Sequence, residues 1–200
     1  HSVTLKENSR VGTAARFRNS KKKHQLLILF GSPHNNGYTS RLLETVLNYF
    51  PEDTQAELVC AYDLTIHPCT GCDGCKKQGR CTCFPDDDFQ KVADALERAD
   101  WIIIASPIYF LGFPAPLKLI FDRFQPYYYH SLTAEQKKNK KALLLTTSGS
   151  NDESGIKIMQ QMSKFILKSI DGTLVDTVSV KNTDIGFSVD ESACHQAVSR

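Results

Sequence analysis

QLLILFGSPHNNGYTSRLLETVLNYF, residues 25–50, passes from a nearly unbroken apolar run into a helical stripe across a stretch of small and polar residues. Residues 25–31 read as a short strand buried on both faces, because a half-exposed strand would alternate apolar with polar side chains. Beyond Thr39, Leu42, Leu43, Val46, Leu47 and Phe50 recur at helix spacing, with Thr39 or Ser40 as the expected N-cap and Pro51 just past the end. A doubly buried strand feeding an amphipathic helix is the unit of a parallel sheet covered by helices.

The alternation continues along the chain. Residues 55–64 (QAELVCAYDL) read as a second strand, and 86–99 as a helix that begins with acidic residues and carries Phe89, Val92 and Leu96 on one face. WIIIAS (101–106) is the third strand. Leu117, Ile120, Phe121 and Phe124 mark a helix over 115–124, followed by an aromatic loop, QPYYYH. Residues 141–149 repeat the pattern of strand into small-residue turn, 155–170 supply another amphipathic helix, and TLVDTVSV (173–180) is the fifth strand. The last twenty residues are weakly patterned and predict a short or incomplete final helix. With no linker or repeat to divide it, residues 25–200 are expected to form one α/β domain, a doubly wound five-stranded parallel sheet in three α/β/α layers.

The 200 residues are 41% hydrophobic and 23% charged, enough for one ordinary core. The net charge of +2 hides a basic arm: residues 1–24 hold seven Lys and Arg against Glu7 alone, so the remainder is mildly acidic. The arm's composition suits a transit peptide, a nucleic-acid-touching arm or a segment not native to the protein; it is read as a solvated tail, and nucleic acid is not the expected partner. No apolar run is long enough for a signal peptide or a membrane span, so the expected location is the cytoplasm. Seven cysteines, an odd number in a chain of this length, argue against a disulfide framework and for metal or redox work.

In a parallel sheet the strand-to-helix loops emerge at one edge, where ligands settle at the point of reversal in strand order. The first, GSPHNNGYTS (31–40), offers hydroxyls, amides and backbone N–H groups from Ser32, His34, Asn35, Asn36, Gly37, Thr39 and Ser40 at a helix start, which favours a phosphate. It lacks GxGxxG and the Walker Lys, so neither a dinucleotide fingerprint nor a P-loop is read here. The second, ASPIYFLGFPAP (105–116), puts Pro107, Ile108, Tyr109 and Phe110 where a flat apolar ligand can lie, or where they pack under the next helix. In the third, residues 146–155, Thr147, Ser148 and Gly149 are positioned to bond a ring's polar edge.

Cysteines cluster in a fourth loop, Cys69-x2-Cys72-x2-Cys75-x5-Cys81 with Cys83 two residues on, made pliable by Gly71, Gly74 and Gly79. Such spacing suits a [4Fe-4S] cube, a tetrahedral zinc, or thiols left free or reversibly oxidised. The bacterial ferredoxin run fails, since five residues precede the last cysteine and Thr82 follows it. Cys60 and Cys194 read as incidental.

At GSPHNNGYTS, PCTGCDGCKKQGRC, the acidic DDDF and ASPIYFLGFPAPLKLIFDR the chain resembles the flavodoxin-like NADPH-dependent FMN reductase superfamily, in the branch that includes the iron-sulfur flavoproteins. The resemblance implies a 2-1-3-4-5 strand order, with Ser32, His34, Asn36, Thr39 and Ser40 around an FMN phosphate and residues 107–110 along its ribityl chain and ring. It also implies that the gap before Cys81 is tolerated, making Cys69, Cys72, Cys75 and Cys81 candidate cluster ligands. Relatives often carry Arg and then Asn-Thr where this chain has His34 and Tyr38-Thr39, which removes a permanent positive charge from the phosphate. The expected activity is NAD(P)H-dependent, FMN-mediated transfer to a quinone, flavin or other acceptor. The alternatives are an electron carrier between proteins and a non-catalytic metal- or partner-binding module. A homodimer or homotetramer is implied, with YYYH (127–130) as a candidate contact.

Overall fold

The computed structural model describes residues 24–130, 132–133 and 137–200. The basic arm, apart from His24, lies outside the described residues. Five strands, β1 Gln25–Phe30, β2 Gln55–Cys60, β3 Trp101–Pro107, β4 Lys140–Thr147 and β5 Gly172–Val180, pair in parallel in the order β2-β1-β3-β4-β5. This is the flavodoxin-like order.

The apolar run of β1 divides by parity. Leu26, Ile28 and Phe30 face α1 (Tyr38–Leu47) and α7 (Glu191–Ser199) through Leu42, Leu43, Val46, Cys194 and Ala197. Leu27 and Leu29 belong to the opposite layer, built on α3 (Phe89–Arg98), α4 (Ala115–Asp122) and α6 (Ser154–Ser169) through Val92, Leu96, Leu117, Ile120 and Met159. Each fully buried Leu or Ile gains about 1.5–3 kcal/mol over an exposed one, so helices are required on both faces.

Several expected boundaries move, each for a local reason. β2 ends at Cys60 because the chain tightens into a single 3-10 turn, Ala61–Asp63, with Ala61 buried. The N-cap of α1 is Gly37, not Thr39 or Ser40; those two lie inside the first turn and are buried there. α3 starts at Phe89, with the preceding acids serving the loop as well as the helix: Asp88 accepts from the Thr65 amide at 2.8 Å, and Asp87 accepts from the His67 amide at 3.1 Å and from the Phe89 amide at 3.0 Å. Two short helices replace expected loops, α2 (Gly74–Gln78) among the cysteines and α5 (Gln125–Tyr129) in the aromatic stretch. Pro126 suits the first turn of α5, and Tyr127 packs edge-on against Phe124 at 5.7 Å. α7 is nine residues long and capped by Asp190, whose Oδ1 accepts from the Ala193 amide at 3.0 Å. Cys194, read as incidental, is a fully buried member of the core. No helix among the described residues is long and apolar enough to cross a membrane.

Candidate functional site

β1 lies between β2 and β3, so the chain leaves it on one side and returns on the other, and the carboxyl ends of β1 and β3 flank the switch point. Three loops are tied together there. The Gly31 amide donates to Ala105 O at 2.8 Å, Thr39 Oγ1 and Thr147 Oγ1 share a hydrogen bond of 2.8 Å, and the Ile108 amide donates to Thr147 O at 2.9 Å. Thr147 thus joins the first loop to the second. Gly31 has no room for a side chain: an added Cβ would stand 2.6 Å from Leu117 Cδ2 and 3.3 Å from Ser106 Oγ.

The start of α1 is uncapped. No side chain bonds its first turn, and the amides of Tyr38, Thr39 and Ser40 find no acceptor among the described residues. Around them, Ser32 Oγ accepts from the His34 amide at 3.2 Å, and Ser40 Oγ donates to His34 O at 3.1 Å. Free N–H groups, the helix dipole and the buried hydroxyls of Ser32, Thr39 and Ser40 fit a phosphate monoester, the anchoring group of FMN. Asn35 and Asn36 are exposed at the rim, and the exposed His34 acts through its backbone, whose carbonyl orders the turn.

The second loop is a two-residue hairpin. Tyr109 and Gly112 exchange backbone hydrogen bonds of 3.0 and 2.9 Å, and between them Phe110 and Leu111 have φ of 46° and 66°. Both central residues are left-handed, a conformation that Asn-Gly usually supplies and that costs bulky residues roughly 1–3 kcal/mol each. Phe110 is fully exposed at the tip instead of packing beneath the next helix, and Tyr109 is 44% exposed. Tyr62, which the sequence did not single out, neighbours this hairpin. Burial first, then the negative charge of an ionised Tyr109, raises its phenol above its ordinary pKa. In the third loop, Ser148 is pinned by its amide to Val180 O and by its carbonyl to the Thr183 amide, and the Asp184 carboxylate sits over Gly149, 2.5 Å from where a Cβ would be.

Cys69, Cys72, Cys75, Cys81 and Cys83 line one cavity of about 280 Å³ beyond the end of β2, with Arg123 and Tyr129 in its wall. α5 closes it: His130 Nε2 lies 2.8 Å from Cys75 O, and the Lys76 ammonium sits 4.8 Å from the Tyr129 ring centroid. Burial pushes the Cys75 thiol up, as does the charge that Cys81, Cys69 and Cys72 carry when ionised, against a lowering by a backbone hydrogen bond. Five soft sulfur donors in one cavity fit an iron-sulfur or other thiophilic centre by chemistry. Among the described residues no group of three or more His, Cys, Asp or Glu side chains is arranged to hold a metal ion. A wider cleft of about 440 Å³, with Tyr128, Phe165 and Lys168 in its lining, is bordered by none of these loops.

One residue carries the cysteine segment. Arg123, 2% exposed, donates from Nε to Cys81 Sγ at 3.0 Å, from Nη1 to His67 O at 3.0 Å and Asp87 Oδ2 at 2.7 Å, and from Nη2 to Cys83 O at 2.7 Å. Its guanidinium also lies 4.7 Å from the Phe89 ring centroid. The sequence held a sign of this, since Arg123 occupies a stripe position three residues after Ile120.

The chain matches the family model described as NADPH-dependent FMN reductase over residues 25–183. An iron-sulfur flavoprotein of Methanocaldococcus jannaschii is 37% identical over 97 residues, 48% of this chain and 49% of that protein. One from Archaeoglobus fulgidus is 33% identical over 100 residues, 50% of this chain and 44% of its own length. The chain therefore spans about half the length of the curated relatives it matches. Among solved structures, an NAD(P)H:quinone oxidoreductase from Methanothermobacter marburgensis is 18% identical with a TM-score of 0.63, covering 90% of this chain and 92% of that one. An apo NADH:FMN oxidoreductase is 20% identical with a TM-score of 0.59, covering 88% and 87%. At such identities the two structures establish the shared fold.

Proposed function

This chain belongs to the NADPH-dependent FMN reductase family, and on that premise we propose that it is an FMN-dependent oxidoreductase drawing on NAD(P)H and reducing a quinone, a flavin or another acceptor. The observation that carries the reading is the uncapped start of α1 beside the tied loops at the switch point. FMN, when bound, accepts a hydride and passes electrons on singly or in pairs. The protein's share is binding and orientation. The Tyr38, Thr39 and Ser40 amides with the Ser32, Thr39 and Ser40 hydroxyls hold the phosphate. Pro107, Ile108, Tyr109 and Phe110 border the ring, while Thr147, Ser148 and Gly149 meet its polar edge. Covering the exposed aromatic tip removes water from the ring's face. Assembly as a homodimer or homotetramer belongs to the same proposal, with the 61%-exposed Tyr128 at the contact.

The shared cavity of the five cysteines, together with the iron-sulfur flavoprotein relatives, supports a second reading. In it Cys69, Cys72, Cys75 and Cys81 hold a [4Fe-4S] cluster and the protein carries electrons between partners. A flavin titration followed by an NADPH oxidation assay with a quinone separates the readings. Saturable FMN binding with turnover supports the reductase. FMN-loaded protein that does not oxidise NADPH, yet contains iron and acid-labile sulfide after anaerobic preparation, supports the carrier. Failure to bind FMN leaves the non-catalytic module and overturns both.

A further inference from the structure

Four of the five clustered cysteines follow the spacing of a ligand set, and Cys83 lies outside it. Yet Cys83 Sγ stands 2.9 Å from Cys72 Sγ, in contact with a member of that set. Two independent features hold the pair together. Gly74 lets the turn after Cys72 lie flat on the segment before Cys83: an added Cβ would overlap Thr82 Oγ1 and come within 3.6 Å of Cys72 Sγ. From the core side, Arg123 Nη2 fixes the Cys83 carbonyl at 2.7 Å. The same guanidinium engages Cys81 Sγ through Nε at 3.0 Å, which holds the neighbouring thiol in a different bond. Cys72 is exposed, so a small reagent reaches it from solvent.

We propose that Cys72 and Cys83 are a reversible dithiol–disulfide pair, closed by small-molecule dialkyl disulfides whenever Cys72 is not engaged by a metal centre. The exposed Cys72 thiolate attacks one sulfur of R–S–S–R, that bond breaks, and RSH departs with a proton. The Cys83 thiolate then attacks the Cys72 sulfur of the mixed disulfide and releases the second RSH. Two protein thiols lose two electrons and two protons, and all of them end on two molecules of RSH. The sulfurs need to approach by less than about 1 Å to reach the ~2.05 Å bond. The pair rests on the observed contact and not on the cluster reading. Because Cys72 is shared with the candidate ligand set and Cys83 is not, a filled cluster and a closed disulfide exclude each other.

The test uses the full chain, as purified and after iron removal by a chelator under reductant. Each sample is incubated with hydroxyethyl disulfide, alkylated, digested and mapped by mass spectrometry. The iron-free sample is expected to lose two of its seven alkylatable thiols. Fragmentation should place the bond between Cys72 and Cys83, and dithiothreitol should restore both. Cys83→Ser is expected to stop at a mixed disulfide on Cys72, whereas Cys81→Ser still forms the bond. Seven alkylated thiols after oxidation, a bond made instead to Cys69, Cys75 or Cys81, or a bond that persists in Cys83→Ser overturns the proposal. Iron and sulfide content measured on the reconstituted protein reads the cluster separately. Cys83→Ser is expected to keep the wild-type content, and iron absent from both proteins sinks the cluster while leaving the disulfide result standing.

Discussion

Arg123 holds Asp87 in a buried ion pair, Nη1 to Oδ2 at 2.7 Å, with each side chain 2% exposed. The pair joins the end of α4 to the loop ahead of α3, and through the other bonds of Arg123 it anchors both Cys81 and Cys83. Breaking a buried pair from one side leaves a charge without compensation, which costs about 3–5 kcal/mol. Asp87→Asn is therefore expected to lower the unfolding free energy by that order and to speed trypsin cleavage at the already exposed Lys76, Lys77 and Arg80. Unfolding curves and timed digests check both.

The same pair sets an acid limit. Burial pushes the Asp87 carboxyl up, but the hydrogen bonds from Arg123 and from the Phe89 and His67 amides outweigh it and hold the carboxyl below its ordinary range. A carboxyl with a depressed folded pKa contributes fully above the unfolded value of about 3.9, and its contribution is lost as pH falls through the folded value. Asp87→Asn should thus show a shallower loss of stability between pH 5 and pH 2, at roughly those bounds, than the parent protein.

Lys140 predicts the opposite limb. Its side chain is buried at the start of β4, with Nζ donating to Ala99 O at 2.9 Å. Burial, then Lys138, lowers its pKa to about 8, against the raising effect of Asp100, Asp171 and Glu97. Below that value folding carries a buried charge; between it and the unfolded pKa of about 10.4 the unfolded chain binds more protons, so stability rises with pH. Lys140→Met is expected to be more stable than the parent at pH 7 by an amount on the order of 1–3 kcal/mol, with the gap closing towards pH 10. Unfolding free energies measured for both proteins across that interval decide it.

Thr39 and Thr147 form a cycle. Thr39→Val leaves the Thr147 hydroxyl buried without its partner, at about 1–3 kcal/mol, whereas the double change to valine is expected to recover most of that loss. Both variants should bind FMN about tenfold more weakly, since a hydroxyl at the phosphate is gone. Fluorescence titration reads the affinity apart from the stability.

Phe110→Ala separates site from scaffold. Because the ring is fully exposed, its removal should change stability by no more than about 0.5 kcal/mol. A several-fold loss of flavin affinity or turnover is expected all the same, and an unchanged titration would remove Phe110 from the site.

Gly31→Ala tests the close approach of the first loop to α4. Leu117 is fully buried and cannot swing aside from a Cβ at 2.6 Å, so a loss of about 1–3 kcal/mol is expected in thermal unfolding.

Much of the fold was legible because strand and helix periodicity are local. Leu26 to Phe30, a short apolar run ending at a glycine turn, read as a doubly buried strand, and Leu42, Leu43, Val46 and Leu47 as one helix face, and the two core layers bear both out. Pattern failed where the chain reverses within a few residues. α2 and α5 are too short for a period to register, and the N-cap of α1 was misplaced because the Thr39 hydroxyl serves the distant Thr147 and that of Ser40 the preceding loop at His34, instead of their own helix.

By itself the sequence determined the five strands, their parallel sense, the candidate loops and the clustering of the thiols, because each follows from spacing along the chain. Only the tertiary structure decided which thiols meet. Cys72 and Cys83 are eleven residues apart and Arg123 lies forty beyond Cys83, so no local period links them. They come together because β2 and β3 flank β1 in the sheet, bringing the loop after β2 against the end of α4, where one buried guanidinium fixes the backbone that carries the sulfur.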